Sequence, residues 1–378
     1  MRALFVNENI GGHAAMHLHL RGALKHHSQI TTSFLDVPPA GLLRRVVGAS
    51  LPWLGRWDLD LQPLRAQLGQ GLYIRRRVRP MLHSFDVLHV YSVNAGLAIP
   101  DLLRARPSVV STDSTNQLNA YSLPYRQPTR WTGEALRLHG RIERKVYESA
   151  TFVVAQSEWV AASLREDYGV PEERLRVIPF GVTIPAVPEP QPPTSSDLPQ
   201  VTFVGTSMAR KGGWRLLRVF RQHLRTRCTL NLVTREDVPP QLGVRIIRDL
   251  IPGDPRLFEL LARTAIFALP TEIDKSSYAV LEAMASGVPI VTTRFAALPE
   301  LAPDGLAGRL IDPGDDEQLG AALIELLDDE GLRRRLGDNA RRRVLERFDA
   351  RITTANLVET LNDACERWTQ DRHPRQGP

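Results

Sequence analysis

Residues 265–293 read AIFALPTEIDKSSYAVLEAMASGVPIVTT, and this stretch holds one repeat of a parallel α/β layer. AIFALP is a short apolar run closed by Pro270, which has no N–H to give a ladder and so ends a buried strand. TEIDKSS (271–277) is polar and forms the loop at the strand's carboxyl end. Ser276 or Ser277 suits the N-cap, because a serine hydroxyl accepts from the open N–H groups of a first helical turn. YAVLEAMAS predicts a short helix, stopped by Gly287 with Pro289 just beyond, and PIVTT is the next strand. In open α/β sheets ligands lie beyond the carboxyl ends of the strands, where helix N-termini point N–H groups outward. A diphosphate there would meet the positive end of the helix. Asp274 in the loop and Glu282 in the helix can face the same place. Carboxylates do not bind phosphate, but they accept hydrogen bonds from sugar or ribose hydroxyls.

The same alternation of short apolar runs and longer amphipathic stretches extends to both sides. Upstream, strands are predicted at 3–7, 31–37, 86–92, 108–112, 152–157 and 175–180, with helices in HAAMHLHLRGALKHH and GEALRLHGRIERKVYESA. PAVPEPQPPTSSDLP (185–199) is too rich in proline for helix or central strand and reads as a semi-extended linker. The alternation restarts with strands at 201–205, 229–234, 244–249, 265–270 and 289–293. The simplest reading is two similar α/β domains, 1–184 and 200–350, joined by the hinge at 185–199. A last amphipathic helix over 351–370 and a polar, disordered tail at 371–378 complete the expected layout.

The first strand of the second domain brings positive charge. VTFVG is followed by TSMARKGGWRLLRVF, which places Gly205 at the strand end and Arg210, Lys211, Gly212 and Gly213 before a helix. Gly205 lets a ligand approach the backbone closely. Arg210 and Lys211 are expected beside the loop at 271–277, where cations would stabilise the charge that grows on a departing diphosphate.

In this order and spacing the two segments resemble the retaining glycosyltransferase family 4, of the GT-B fold. That resemblance implies two Rossmann-like domains facing across a cleft, with the last helix crossing back to the first domain. Gly205, Lys211 and Gly212 match the family's first element, while Thr206 stands at its usual arginine. Glu282 in LEAMASGVP matches the second glutamate of the Glu-x7-Glu pair, which in the family holds the ribose hydroxyls. Asp274 matches the first, one methylene shorter, and Lys275, Ser276 and Ser277 replace the usual Gly-Phe-Gly. The resemblance also takes in AQSEWVAASL, RVIPFGV and ALPELAPDGLAGRLIDPGD, and it is specific over roughly 150–350. In the first domain Gly11 and Gly12 follow the first strand, as a glycine loop bordering phosphates and acceptor does in the family, or as an ordinary turn. Asp113, in VVSTDSTNQ, stands where the family has a histidine near the donor sugar. It either bonds a donor hydroxyl in place of the histidine or caps the following turn.

The implied activity is transfer of a sugar from a nucleoside diphosphate sugar to an acceptor hydroxyl, with retention of configuration. Lys211, Arg210, Asp274 and Asp113 are its expected catalytic residues, with Gly205, Gly212, Ser276, Ser277, Glu282, Gly11 and Gly12 binding the donor. No metal or other cofactor is expected if Arg210, Lys211 and the helix N-terminus carry the diphosphate charge. The acceptor is a glycan, a lipid-linked group or a small molecule. The replacements at Thr206, Asp113, Asp274 and 275–277 keep a second reading open, a protein that binds a nucleotide-sugar without turning it over. A basic nucleic-acid binder is a third, but no aromatic-rich or recognised binding module supports it, and no nucleic acid is expected.

The whole composition agrees with a globular enzyme. Of 378 residues, 43% are hydrophobic and 24% charged, enough for two ordinary cores. The net charge of +6 favours anionic partners without choosing among them. Cys228 and Cys365 are the only cysteines, which suits a reducing compartment. The first residues read as a strand rather than a signal peptide, so a cytoplasmic protein is expected. Between about 41 and 82, GLLRRVVGASLPWLGRW and YIRRRVRPML set arginines beside Leu, Val and Trp. That pattern is either helices with solvated arginines or a surface in peripheral contact with anionic membrane at the inner face. His13 and His17 have the spacing of two helical metal ligands but lack a third. Asp58-x-Asp60 is a chance match to a metal motif of another glycosyltransferase fold. The arginines of 333–335 and 341–343 read as a solvated face.

Overall fold

A computed structural model describes residues 1–8, 13–37, 46, 61–120, 129–184, 198–250 and 253–372. Gly11, Gly12, Asp58, Asp60, residues 185–197 and, Val46 apart, the GLLRRVVGASLPWLGRW segment lie outside the described residues. The chain divides into two compact units, Met1–Pro179 with Thr353–Pro378, and Phe180–Ile352.

In the first unit the strands are β1 (Arg2–Glu8), β2 (Thr31–Val37), β3 (Val87–Tyr91), β4 (Ser108–Thr112), β5 (Phe152–Ala155) and β6 (Leu175–Val177). They form one parallel sheet in the order β2-β1-β3-β4-β5-β6. The helices are α1 (His13–Leu24), α2 (Gln62–Val78), α3 (Val93–Gly96), α4 (Pro100–Ala105), α5 (Thr132–Ser149) and α6 (Glu158–Glu166). Successive side chains of a strand point to opposite faces, so β1 serves two cores. Leu4 and Val6 join Ile74, Val78, Leu88, Val110 and Val146 on one face. Ala3 and Phe5 join Val87, Val109, Phe152 and Val154 on the other. Burial on both faces is why strands such as β1 and β5 carry continuous apolar runs rather than alternating ones, while the edge strand β2 is largely exposed or half-buried.

The second unit repeats the plan. Its strands are β7 (Gln200–Val204), β8 (Thr229–Val233), β9 (Val244–Ile247), β10 (Ile266–Leu269), β11 (Ile290–Thr293) and β12 (Gly308–Ile311). Their order is β12-β11-β10-β7-β8-β9, again all parallel. The helices are α7 (Gly213–Val219), α8 (Pro255–Ala262), α9 (Tyr278–Ala285), α10 (Leu298–Leu301), α11 (Asp316–Asp328) and α12 (Glu330–Arg347). A last helix, α13 (Ala350–Arg372), leaves this unit and from Thr353 onward belongs to the first. There Leu357, Val358, Leu361 and Ala364 close the core around Phe5, Val109 and Phe152. Residues 180–184 belong to the second unit, where Val182 bridges to Asp349.

Two features differ from the sequence reading. The edge strand β12 is not among the strands expected above. It is four residues long, GRLI, and its glycine and arginine hide the apolar run. Gly308 is essential to it, since a Cβ there would stand 1.8 Å from the Ile290 carbonyl oxygen. The arginines of α12 are not simply a solvated face. Arg341 donates to the Ala285 carbonyl at the end of α9 (2.6 Å), and Arg343 to the Glu300 carbonyl (2.6 Å). Arg333 donates to the Leu326 carbonyl at 2.6 Å. Each guanidinium satisfies carbonyls that helix ends leave open, and a cation there also suits the helix dipole.

Candidate active site

In the second unit the carboxyl ends of the neighbouring strands β7 and β10 are locked together by backbone. Gly212 takes φ +78°, and a Cβ on it would lie 2.0 Å from the Pro270 carbonyl oxygen. Only glycine permits both the left-handed turn and that approach. Thr271 extends the lock. Its hydroxyl donates to the Arg210 carbonyl (3.2 Å) and accepts from the N–H groups of Ile273 and Asp274 (3.2 and 3.0 Å). Its own carbonyl accepts from Thr293 at 2.7 Å.

This brings Lys211 to Asp274, with Nζ 2.9 Å from Oδ2. Their side chains are only 17% and 11% exposed, so water screens the pair weakly. Gly205 serves this arrangement. A Cβ on it would lie 2.8 Å from Lys211 Cδ and 2.6 Å from the Phe203 ring, so the lysine stem occupies the space the glycine leaves. Arg210 is half-buried, and its Nε is buried with no hydrogen-bond partner. Thr206 is exposed.

Glu282 lies in α9, whose residues Ala279–Ala285 are all buried. Burial pushes its carboxyl up to about 7, and the Lys211 charge works against that rise. Ser277 is at the N-cap position with extended backbone, as its place in the sequence predicts, but its side chain makes no capping bond. Its Oγ is buried and has no hydrogen-bond partner. Ser276 is half-buried and Lys275 buried, and the Lys275 carbonyl accepts from Ala297 at 3.0 Å. Gly287 takes φ +75° after α9, as a helix stop requires.

At the carboxyl edge of the first sheet, Asp113 directly follows β4. His13 opens α1, which follows β1, and its Nε2 lies 3.2 Å from Asp113 Oδ2. Between them β3 ends in Tyr91, against whose ring the His13 ring stands edge-on at 4.9 Å. His17 also meets Tyr91, at 5.4 Å, but its Nε2 bonds the Glu8 carbonyl oxygen at 3.3 Å. Glu8 is buried and accepts from Gln70 (3.1 Å) and Ser92 (2.5 Å). The two histidines therefore have separate oxygen partners, and among the described residues no group of three His, Cys, Asp or Glu is placed to hold a metal. The link between His13 and Asp113 spans 100 residues and leaves no local mark in the sequence. Its one signal is an aspartate where the resembled family has histidine.

Two family models match the chain: "Glycosyltransferase Family 4" over residues 23–184, and "Glycosyl transferases group 1" over 198–329. A curated relative from Mycolicibacterium hassiacum, an MMP alpha-(1->4)-mannosyltransferase, is 32% identical over 249 residues, 63% of this chain. The chain spans 59% of that relative's length. Among solved structures, a glycosyltransferase from Rickettsia africae superposes with a TM-score of 0.68 at 15% identity, covering 96% of this chain and 98% of the other. The Anabaena protein HepE, solved in complex with UDP, gives 0.67 at 17% identity, covering 96% and 100%. At such identities the structures establish the fold, and the sequence matches carry the kinship. By its two parallel sheets and by matches over most of residues 23–329, the chain belongs to the GT-B glycosyltransferases.

Proposed function

We propose that the protein transfers a glycosyl group from a nucleoside diphosphate sugar to an acceptor hydroxyl, with retention of configuration and without a metal. The observation that carries this reading is Lys211 held at 2.9 Å from Asp274 where β7 and β10 end, beside the buried Glu282. A cation and two carboxylates within one unit suit the two halves of such a donor. Lys211 and Arg210 take the diphosphate, Glu282 accepts from the ribose hydroxyls, and Asp274 accepts from the sugar. Asp274 also neutralises the lysine while no donor is bound.

In the reaction the bond between the anomeric carbon and the diphosphate oxygen breaks, and the acceptor oxygen bonds that carbon from the same face. The acceptor's proton passes to the departing phosphate oxygen, so the products are the glycoside and the nucleoside diphosphate. The negative charge on the leaving group grows through the transition state, and a fixed cation beside it lowers the barrier. The names of the relatives agree with this reading: one is a mannosyltransferase and another was solved with UDP.

A thermal-shift screen across nucleoside diphosphate sugars is the test, because a ligand that binds only the folded state raises the melting temperature. The best donor is then incubated with the protein and release of nucleoside diphosphate is followed. Turnover is expected. A melting shift without turnover would favour the second reading, a binding protein, for which the exposed Thr206 and the replacements at 275–277 speak. No shift with any nucleotide sugar would sink both.

A further inference from the structure

Another cation reaches the 271–277 loop from the helix that follows Lys211. Arg215 lies in the first turn of α7, and its side chain is 21% exposed. Its guanidinium grips two loops at once. Nη1 donates to the Gly314 carbonyl and to Asp316 Oδ1 (2.6 Å), where β12 turns into α11. Nη2 donates to Glu272 Oε1 at 2.6 Å, two residues before Asp274. The other Asp316 oxygen accepts from Arg218 Nε, also at 2.6 Å, so α7 holds the start of α11 from two residues one turn apart. All of these groups belong to the second unit.

The planar fork of an arginine serves several acceptors at fixed angles, which a lysine does not. Here one arm of the fork is anchored at α11 and the other extends to the loop. As a stabilising contact the Glu272 pair is worth little, because Glu272 is 49% exposed and water screens it. Its position matters more than its strength. Along the loop, Thr271 is joined to the Arg210 carbonyl, Glu272 to Arg215 and Asp274 to Lys211. On the transfer reading a donor breaks the last of these links, taking Lys211 for its diphosphate and Asp274 for its sugar. The link between Arg215 and Glu272 has no part in that exchange.

We propose that Arg215 is a positioning residue, a latch that holds the 271–277 loop through Glu272 and keeps Asp274 in place for the sugar once the donor has taken Lys211. This rests on the glycosyl-transfer reading. The latch serves the sugar half of the donor, because Lys211 and Glu282, which that reading gives to the nucleoside diphosphate, stand outside the loop.

Titration calorimetry with two probes tests this: the nucleotide sugar chosen by the melting screen, and its bare nucleoside diphosphate. Arg215→Ala and Glu272→Ala should each weaken binding of the nucleotide sugar by roughly threefold to thirtyfold and leave binding of the nucleoside diphosphate within about twofold. Both act through one contact, so their losses should not multiply, and the double variant should bind no worse than Arg215→Ala alone. Melting temperatures confirm that each variant folds. Glu272→Ala leaves the bonds of Arg215 to Gly314 and Asp316 in place, and it carries the test if Arg215→Ala does not fold. Equal losses for the two probes would mean a general disturbance of the site and would overturn the proposal. So would unchanged nucleotide-sugar affinity in Glu272→Ala, or losses that multiply in the double variant, while wild-type turnover leaves the transfer reading standing. A wild-type protein that binds no nucleotide sugar would sink the transfer reading itself, and the latch with it.

Discussion

Glu282 is the residue whose chemistry can be read most directly from its surroundings. Its carboxyl is pushed from an ordinary 4.5 to about 7 by burial, so the folded protein binds a proton that the unfolded chain releases. Stability therefore falls as pH rises from about 4.5 to about 7, and the charged form is strained above that range. Glu282→Gln should remove this dependence and leave the variant more stable than the wild type at pH 8, with little difference at pH 4.5. Denaturant melts at the two pH values check it. The same substitution should weaken nucleotide binding by about 1.5–3 kcal/mol, the scale of a hydrogen bond to a charged group. Titration calorimetry with the nucleoside diphosphate measures that loss. Stability gained with affinity lost is the mark of a carboxylate kept for a ligand. Lys211 makes the opposite case. Its help grows as the leaving group gains charge, so Lys211→Ala should lower kcat by roughly 10²–10³ with a smaller effect on KM. Steady-state transfer with the preferred donor decides it. A variant with unchanged kcat would pass the role to Arg210. The placement of these residues was legible in the sequence because each sits in a short motif that follows a strand. His13 was not, since its partner comes from another strand and only folding joins them.

At the scale of elements, the strands were legible almost throughout because a strand buried on both faces must be an unbroken apolar run. SVVST matches the fully buried β4 residue for residue, and TTSFLDV matches β2, an edge strand that is largely exposed or half-buried and was legible from its β-branched and aromatic residues instead. The edge strand β12 escaped because what defines it is not its own composition but the close approach of Gly308 to β11. The serine cap of α9 was read correctly as a position and wrongly as a bond. Position follows from where polar residues give way to apolar ones, whereas the bond depends on a rotamer that the sequence does not encode locally. The arginines of α12 were misread for a related reason: charge pattern marks a polar face but not the open carbonyls of another helix. The junction of Gly212 with Pro270 yields a test at this scale. Gly212→Ala places a Cβ 2.0 Å from a carbonyl oxygen at a left-handed φ, so the loop must shift. Destabilisation of about 2–4 kcal/mol is expected, with loss of activity because Lys211 is the next residue. Urea unfolding measures the first and turnover the second. An alanine variant of wild-type stability would mean that the two strand ends are not locked as described.

For the molecule as a whole, charge is the property that remains to be placed. Of the arginines in YIRRRVRPML, Arg75 pairs with Asp101, while Arg76, Arg77 and Arg79 are exposed. Ile74 and Val78 from the same stretch are fully buried, so its apolar side is already used in the core of the first unit. Among the described residues no helix is long and apolar enough to cross a membrane. Any attachment through this stretch would then be electrostatic, at about 1 kcal/mol per arginine near an anionic surface. Sedimentation with anionic vesicles should show binding at low salt that fades as salt rises and drops in Arg76→Glu/Arg77→Glu/Arg79→Glu. Indifference to vesicles at low ionic strength would leave these as solvated side chains. The path of α13 has a different kind of consequence. The first unit's strands are made early in synthesis, yet Leu357, Val358, Leu361 and Ala364, which close one of its cores, are joined only after the whole of the second unit. At translation speeds of about 5–20 residues per second, the apolar face of Phe5, Val109 and Phe152 waits on the order of ten to thirty seconds for its cover. A nascent chain therefore carries an uncovered apolar face through the making of the second unit, and a ribosome that stops within that unit releases a first unit with its face still bare.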